Sequence, residues 1–221
     1  MHILMNFAGM IYTGIRHWHI IRLSCHFKTF GTMGGITISS SLRQQKPKPY
    51  EFHNSMYSHL DFDEVFSKLV AFIRQAPYYH YRLSIGSDSH VEARHTVFVT
   101  AIHLHRVGRG AIGFITKQII NRAIHSLREK IYHETARTLE IASLFTPEKI
   151  DLMIDALLQY SSRPGDICFE FHLDVGTSGA TKDLIGEMVA MAKGTIFTPK
   201  IKPDSYAACA YADRYTKISL P

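Results

Sequence analysis

Cysteine is scarce in this chain of 221 residues: Cys25, Cys168 and Cys209 are odd in number and show no C-x-x-C spacing. That excludes a disulfide scaffold or a structural zinc ribbon and fits a reducing compartment such as the cytoplasm. The apolar run from Ile3 to Ile15 falls short of the ~20 residues that a membrane-spanning helix needs. It also lacks the basic n-region and A-x-A site of a signal peptide. Acidic residues are absent from residues 1–35, which carry Arg16, Arg22 and Lys28. Without those three, 22 basic residues stand against 19 acidic ones, so the formal charge of +6 falls to +3. A polyanionic partner suits that balance, but the balance does not demand one. There is no internal repeat, no low-complexity tract and no helical H-E-x-x-H zinc motif.

Residues 1–35 show no steady helical or strand period, and they hold the single tryptophan, Trp18. The expectation is an extension, with Met33 as an alternative start. Residues 36–50 are polar and proline-bearing, as a linker is. The division predicted is therefore 1–50 as extension and linker, and 51–221 as one folded domain.

Periodic order begins near Leu60. Asp61 and Glu64 stand in a capping-box arrangement before Val65, Phe66, Leu69, Val70 and Ile73, which repeat at helical spacing. Three strands are predicted at 82–91, 96–105 and 111–120, each rich in β-branched or aromatic residues. A long helix over about 126–145 follows, then a shorter one over 147–160 opened by Pro147. A strand at 167–175, a helix at 181–194 stopped by Gly194, an extended stretch and a final helix complete the pattern. Meandering strands followed by alternating helices and strands point to a mixed α/β sheet.

Four carboxylates attract attention by position. Asp88 and Asp174 each end a predicted strand. On strand 167–175, Cys168, Glu170, His172 and Asp174 point away from the apolar face of Ile167, Phe169, Phe171, Leu173 and Val175. On the long helix, Leu127, Ile131, Thr135, Thr138, Ala142 and Phe145 form one arc with Glu134 at its edge, while Glu129 and Glu140 lie opposite. A carboxylate on a packing face needs a reason, because burying it unpaired is costly. Asp213 projects with Tyr206, Cys209 and Ala210 on the last helix. Each has a plainer explanation: turn chemistry for Asp88 and Asp174, pairing with Arg128 or Arg137 for Glu134, and pairing with Lys217 for Asp213.

The segments "YRLSIGSDSHV…TVFVTAIHLHR", "LREKIYHET", "HLDVGTSGATKDLIGEMVAMAKG" and "KIKPDSYAACAYADRYTK" resemble the YkuK family of bacterial proteins, classed as ribonuclease H-like. The likeness runs over about residues 50–217. It implies an RNase H-like fold: a five-stranded mixed sheet, its first three strands antiparallel, flanked by helices. In active members of that superfamily, acids on the first strand, the first long helix, the fourth strand and a late helix bind divalent metal. Carried over, these are Asp88, Glu134, Asp174 and Asp213. Ser87 and His90 depart from the family's G-T-D-S-Q motif without removing a carboxylate.

What the resemblance implies is a nuclease dependent on Mg²⁺ or Mn²⁺, with nucleic acid as substrate. Hard oxygen donors suit such ions, and two of them can activate a water and stabilise the leaving oxygen of a phosphodiester. Lys182, close after Asp174, is placed to steer phosphate or is simply a solvated lysine. His90, two residues beyond Asp88 on the same side of the strand, is a candidate supporting residue. Two competing readings are a nucleic-acid-binding module that keeps the fold without cleaving, and a zinc hydrolase built on the H-x-H of His103 and His105. Most of the fourteen histidines are expected at the surface or at strand edges.

Overall fold

Each long helix begins where a side chain takes over backbone donors that a helix start leaves unpaired. Asp61 caps α1 (Phe62–Arg74): it accepts from the Glu64 N–H at 2.8 Å, and Glu64 accepts from the Asp61 N–H at 2.9 Å, completing the expected capping box. Ser126 caps α2 (Leu127–Ala142). Thr146 caps α3 (Pro147–Leu158), whose first turn tolerates the missing N–H of Pro147. The structure is a computed structural model that describes residues 50–159 and 162–216. The expected extension, nearly all of the linker, Met33 and Lys217 lie outside the described residues.

Five strands form one sheet: β1 (His80–Val91), β2 (Thr96–Arg106), β3 (Ala111–Ile120), β4 (Asp166–Gly176) and β5 (Thr198–Lys202). Their order is β3-β2-β1-β4-β5. The first three are antiparallel, and β4 and β5 each join in parallel. The β2–β3 hairpin turns on Gly108 and Gly110, whose φ values of 73° and 96° favour glycine. Entering β4 parallel to β1 requires a long crossover, which α2 and α3 supply. This is the mixed sheet read from the sequence, with bounds that differ by one or two residues.

Side-chain alternation then assigns the faces. Tyr81, Leu83 and Ile85 of β1 and Phe171, Leu173 and Val175 of β4 join the main core with α1, α2, α3 and α4 (Ile185–Ala192). Burying a side chain of this kind contributes roughly 1.5–3 kcal/mol, so this face carries most of the stability. The opposite face bears a smaller apolar cluster, Val97, Val99, Ala101 and Ile115, closed by Ala212 of the C-terminal helix. Among the described residues no helix is long and apolar enough to cross a membrane.

Three local expectations need correction. Leu127 is 39% exposed, so the buried arc of α2 begins at Ile131. The helix predicted at 181–194 is a 3-10 turn, Lys182–Leu184, followed by the shorter α4. The final helix is a π-helical turn, Ala207–Ala212, before α5 (Asp213–Thr216). An α-helix would set Tyr206 and Tyr211 about 140° apart. The wider turn brings i and i+5 together, and both rings lie against His103, with centroids at 5.1 and 5.2 Å. A helical wheel at 100° per residue therefore misplaces Ala210, which is exposed.

Candidate functional site

The parallel ladder between β1 and β4 stops at Gly86 paired with His172. Asp88 and Asp174 each lie two residues beyond that last pair, level with one another where the strands part. The β4–β5 register shifts between His172 and Gly176, the stretch that carries Asp174. Such irregularities re-aim side chains at strand ends. Both acids leave the sheet on the face covered by the C-terminal helix, where Asp213 sits half-buried at the junction of the π-turn and α5.

Glu134 approaches from α2 on the other face. It is 5% exposed, and Ser89 Oγ donates to its Oε1 at 2.6 Å. Ser87, two residues earlier, lies 2.8 Å from both Thr100 Oγ1 and Thr138 Oγ1, which fixes α2 against β1 at this level. Neither arginine proposed as a partner serves Glu134. Arg128 pairs with Glu187 at 2.5 Å, and Arg137 lies over the Phe98 ring at 4.5 Å.

Electrostatics ties the four acids together. Burial pushes Asp88 up to about 6, and the charges of Asp174 and Asp213 push the same way. Burial pushes Glu134 up to about 8, opposed by the Ser89 hydrogen bond and reinforced by Asp88 and Asp174. Lys130, one turn before Glu134, partly offsets both. Among the described residues, no three His, Cys, Asp or Glu side chains are gathered closely enough to form a ready-made metal cage. The acids thus share one electrostatic neighbourhood without forming a closed group.

The donor set nevertheless fits Mg²⁺ or Mn²⁺. All four groups are hard oxygen donors, and the deepest carboxylate has a hydroxyl, not a cation, as its hydrogen-bond partner. Mg²⁺ needs only one or two carboxylates, with waters and phosphate oxygens completing the octahedron. A zinc site on His103 and His105 fits poorly, because zinc calls for three or four protein ligands drawn tightly together. His103 is also committed elsewhere. Its Nδ1 lies 2.9 Å from the Tyr206 hydroxyl, and burial, with His105 and His172 nearby, lowers it to about 4. It is half-buried on an inner strand, beneath the C-terminal helix.

Lys182 is exposed on its turn, and His90 is half-buried on the Asp88 side of β1. The cation that the sequence reading overlooked is Lys202, at the end of β5. Its Nζ stands 2.7 Å from Asp174 Oδ1. Burial alone would lower this ammonium, but the bond and charge of Asp174, with Cys209 and Asp88 behind it, hold it above its ordinary value.

A polar network under Tyr206 was also overlooked. The Tyr206 hydroxyl bridges His103 and Ser84, the latter at 3.1 Å. His172 Nδ1 accepts from the Ala207 N–H at 3.0 Å, so its proton lies on Nε2 and is donated to Glu170 at 2.9 Å. These bonds pin the start of the C-terminal helix to the sheet and so set the position of Asp213. Tyr206→Phe leaves His103 without that partner and is expected to lower stability by about 1–2 kcal/mol in urea unfolding, with an unchanged m-value. An unaltered midpoint would show that the network does not hold the helix.

Asp88 does not end its strand as expected, since β1 runs on to Val91 beside β2. The five-stranded order, the helices on both faces and the acids at the level where β1 and β4 part define an RNase H-like α/β protein. The sequence model of the family described as Ribonuclease H-like matches residues 64–217, and the chain belongs to that family. Among curated proteins it is similar to "Uncharacterized protein YkuK" of Bacillus subtilis (strain 168), with 44% identity over 166 residues, 75% of this chain and 96% of that protein. No solved structure matches the chain.

Proposed function

We propose that the protein is a divalent-metal-dependent nuclease that hydrolyses phosphodiester bonds in nucleic acid, with Mg²⁺ or Mn²⁺ held by Asp88, Glu134, Asp174 and Asp213. The observation that supports this best is that Asp88 and Asp174 stand level on adjacent strands, with the charge of Asp213 felt at Asp88 and the charges of both strand acids felt at Glu134. Folds do not gather like charges without cost, and a bound cation removes that cost. A cavity at the carboxyl ends of β4 and β5 lies where α/β sheets commonly take ligands.

When bound, the metal supplies Lewis-acid stabilisation to the attacking water and the leaving oxygen. The chain's own groups do the rest. Asp88 and Asp174 present oxygens side by side from adjacent strands. Glu134 must lose its proton before its carboxylate can act as a ligand, so occupation releases protons and tightens as pH rises. Ser89 holds the Glu134 side chain in its rotamer. Action in the cytoplasm belongs to the same reading and is supported by Cys168 and Cys209, both free thiols.

A binding module without catalysis is favoured by one observation: among the described residues no three potential ligands form a closed group. Labelled single-stranded and duplex RNA, DNA and RNA–DNA hybrid, incubated with Mg²⁺, Mn²⁺ or a chelator, separate the two. Metal-dependent cleavage of any of them supports the nuclease. Tight binding with no cleavage under every metal condition supports the module.

A further inference from the structure

A cavity of about 430 Å³ opens beside the acids, lined by Gly176, Thr177, Ser178, Lys202, Pro203 and Cys209. Its walls come from the ends of β4 and β5, the same two strands that carry Asp174 and Lys202. The shifted register sets Lys202 opposite Gly176. A Cβ at residue 176 would stand 3.4 Å from Lys202 Cβ, so the lysine stem lies in van der Waals reach of the strand end. The loop beyond is closed by Thr181, whose Oγ1 accepts from the Gly176 N–H at 3.1 Å.

We propose that this cavity is the subsite for the phosphate and sugar of the nucleotide next to the bond being cut, with Lys202 as its phosphate-binding group. The inference rests on the nuclease reading for the bond that is cut, but not for the binding of a nucleotide. An ammonium has three donors, and Lys202, although in an ion pair with Asp174, keeps a side chain that is 47% exposed and open to a further anion. In the free protein Lys202 acts as counter-ion to the crowded carboxylates. With Asp174 engaged by a bound cation, Lys202 would stand at the mouth of the cavity without its counter-ion, and a substrate phosphate would supply one. Thr177 and Ser178 add hydroxyl and backbone donors, and the Pro203 ring offers an apolar wall for a sugar. The remaining cavities suit a phosphate less well. One sets Glu170 and Asp204 among its two cations, with Arg82 already paired to Glu170 at 3.3 Å; a second shares that Arg82 with His103 and His105; and the groove between α3 and the Gly194–Phe197 turn is mainly apolar.

Lys202→Met keeps the stem and removes the charge; Lys202→Arg keeps the charge. Three measurements test the proposal on the full chain: Mn²⁺ affinity by calorimetry, affinity for a 5′-phosphorylated single-stranded oligothymidylate in Ca²⁺ across a salt series, and amide shifts on adding thymidine 5′-monophosphate. For Lys202→Met the expected results are Mn²⁺ bound about three- to tenfold more tightly, oligonucleotide bound more weakly, and a salt slope smaller by about 0.7, one phosphate contact on a single strand. Lys202→Arg is expected to keep the slope. In wild type the mononucleotide is expected to shift the amides of Thr177 and Ser178. Unchanged slope and affinity in Lys202→Met, or no shift at those amides, overturns the subsite even if Mn²⁺ binds more tightly. Mononucleotide binding in the cavity by a protein that cleaves nothing would keep the subsite and sink the nuclease reading.

Discussion

Asp88→Asn should cut metal-dependent cleavage by about 100-fold or more while leaving the metal-free protein at least as stable as wild type at pH 8. Groups that merely orient metal ligands already cost roughly 10–100-fold when removed, so loss of a ligand should reach at least the upper end. The stability half of the prediction follows from the sign of the perturbation. A carboxyl raised to about 6 by burial and by Asp174 and Asp213 is stable as an acid and strained as an anion. Its favourable contribution is complete below about pH 4 and is lost as pH rises through 6, amounting to up to about 3 kcal/mol by pH 8. Asparagine cannot ionise, so the strain disappears, less whatever the bond from the Ser89 backbone contributes. A gain of up to about 2 kcal/mol in metal-free urea unfolding is expected, together with a smaller rise in melting temperature on adding Mg²⁺. An aspartate serving as turn chemistry behaves in the opposite way: its asparagine variant melts lower and cleaves normally.

The parts of the fold legible in the sequence were those written in local code. Asp61 with Glu64, Pro147 at the start of its helix, and the apolar face from Ile167 to Val175 each report on neighbours a few residues away, and each appears as expected. The four acids stood out by their positions on strands and helix faces; the family resemblance gave their metal-binding role and the five-stranded mixed sheet, while the strand order was not read. What was missed depends on partners distant in sequence. Lys202 becomes conspicuous only when β5 lies parallel to β4 with a shifted register, which no local pattern announces. The π-turn arises because Tyr206 and Tyr211 both pack on His103, a residue about a hundred positions earlier. One signal was present and went unused. The core face of β1 reads Tyr81, Leu83, Ile85 and then Ser87, Ser89, and the change from apolar to hydroxyl marks where Thr138 and Glu134 of α2 arrive.

Glu134→Gln should give the largest stability change, with a characteristic pH dependence. Glu134 is held near 8, chiefly by burial, with the Asp88 and Asp174 charges adding to it. At pH 5 the wild-type side chain is a neutral acid that accepts from Ser89, and the glutamine carbonyl can accept the same bond. The two proteins should then unfold at nearly the same urea concentration. Between pH 5 and pH 9 the wild-type carboxyl is forced to ionise in a site where its hydrogen-bond partner is a hydroxyl. Moving a carboxyl from 4.5 to about 8 corresponds to at most about 5 kcal/mol when fully ionised. Water entry and relaxation reduce this, so a metal-free advantage of about 3 kcal/mol for Glu134→Gln at pH 9 is expected, or about 6–12 °C in melting temperature. Mg²⁺ should narrow the gap by stabilising only the wild type, and cleavage by the variant should fall as far as for Asp88→Asn. The two gains should not add in the double variant, because each acid contributes to the other's perturbation. A glutamate retained for a structural ion pair predicts the reverse order at pH 9, with the glutamine variant less stable and the deficit growing as the pH rises from about 3 to 5. Urea titrations at pH 5, 7 and 9, with and without Mg²⁺, distinguish these outcomes.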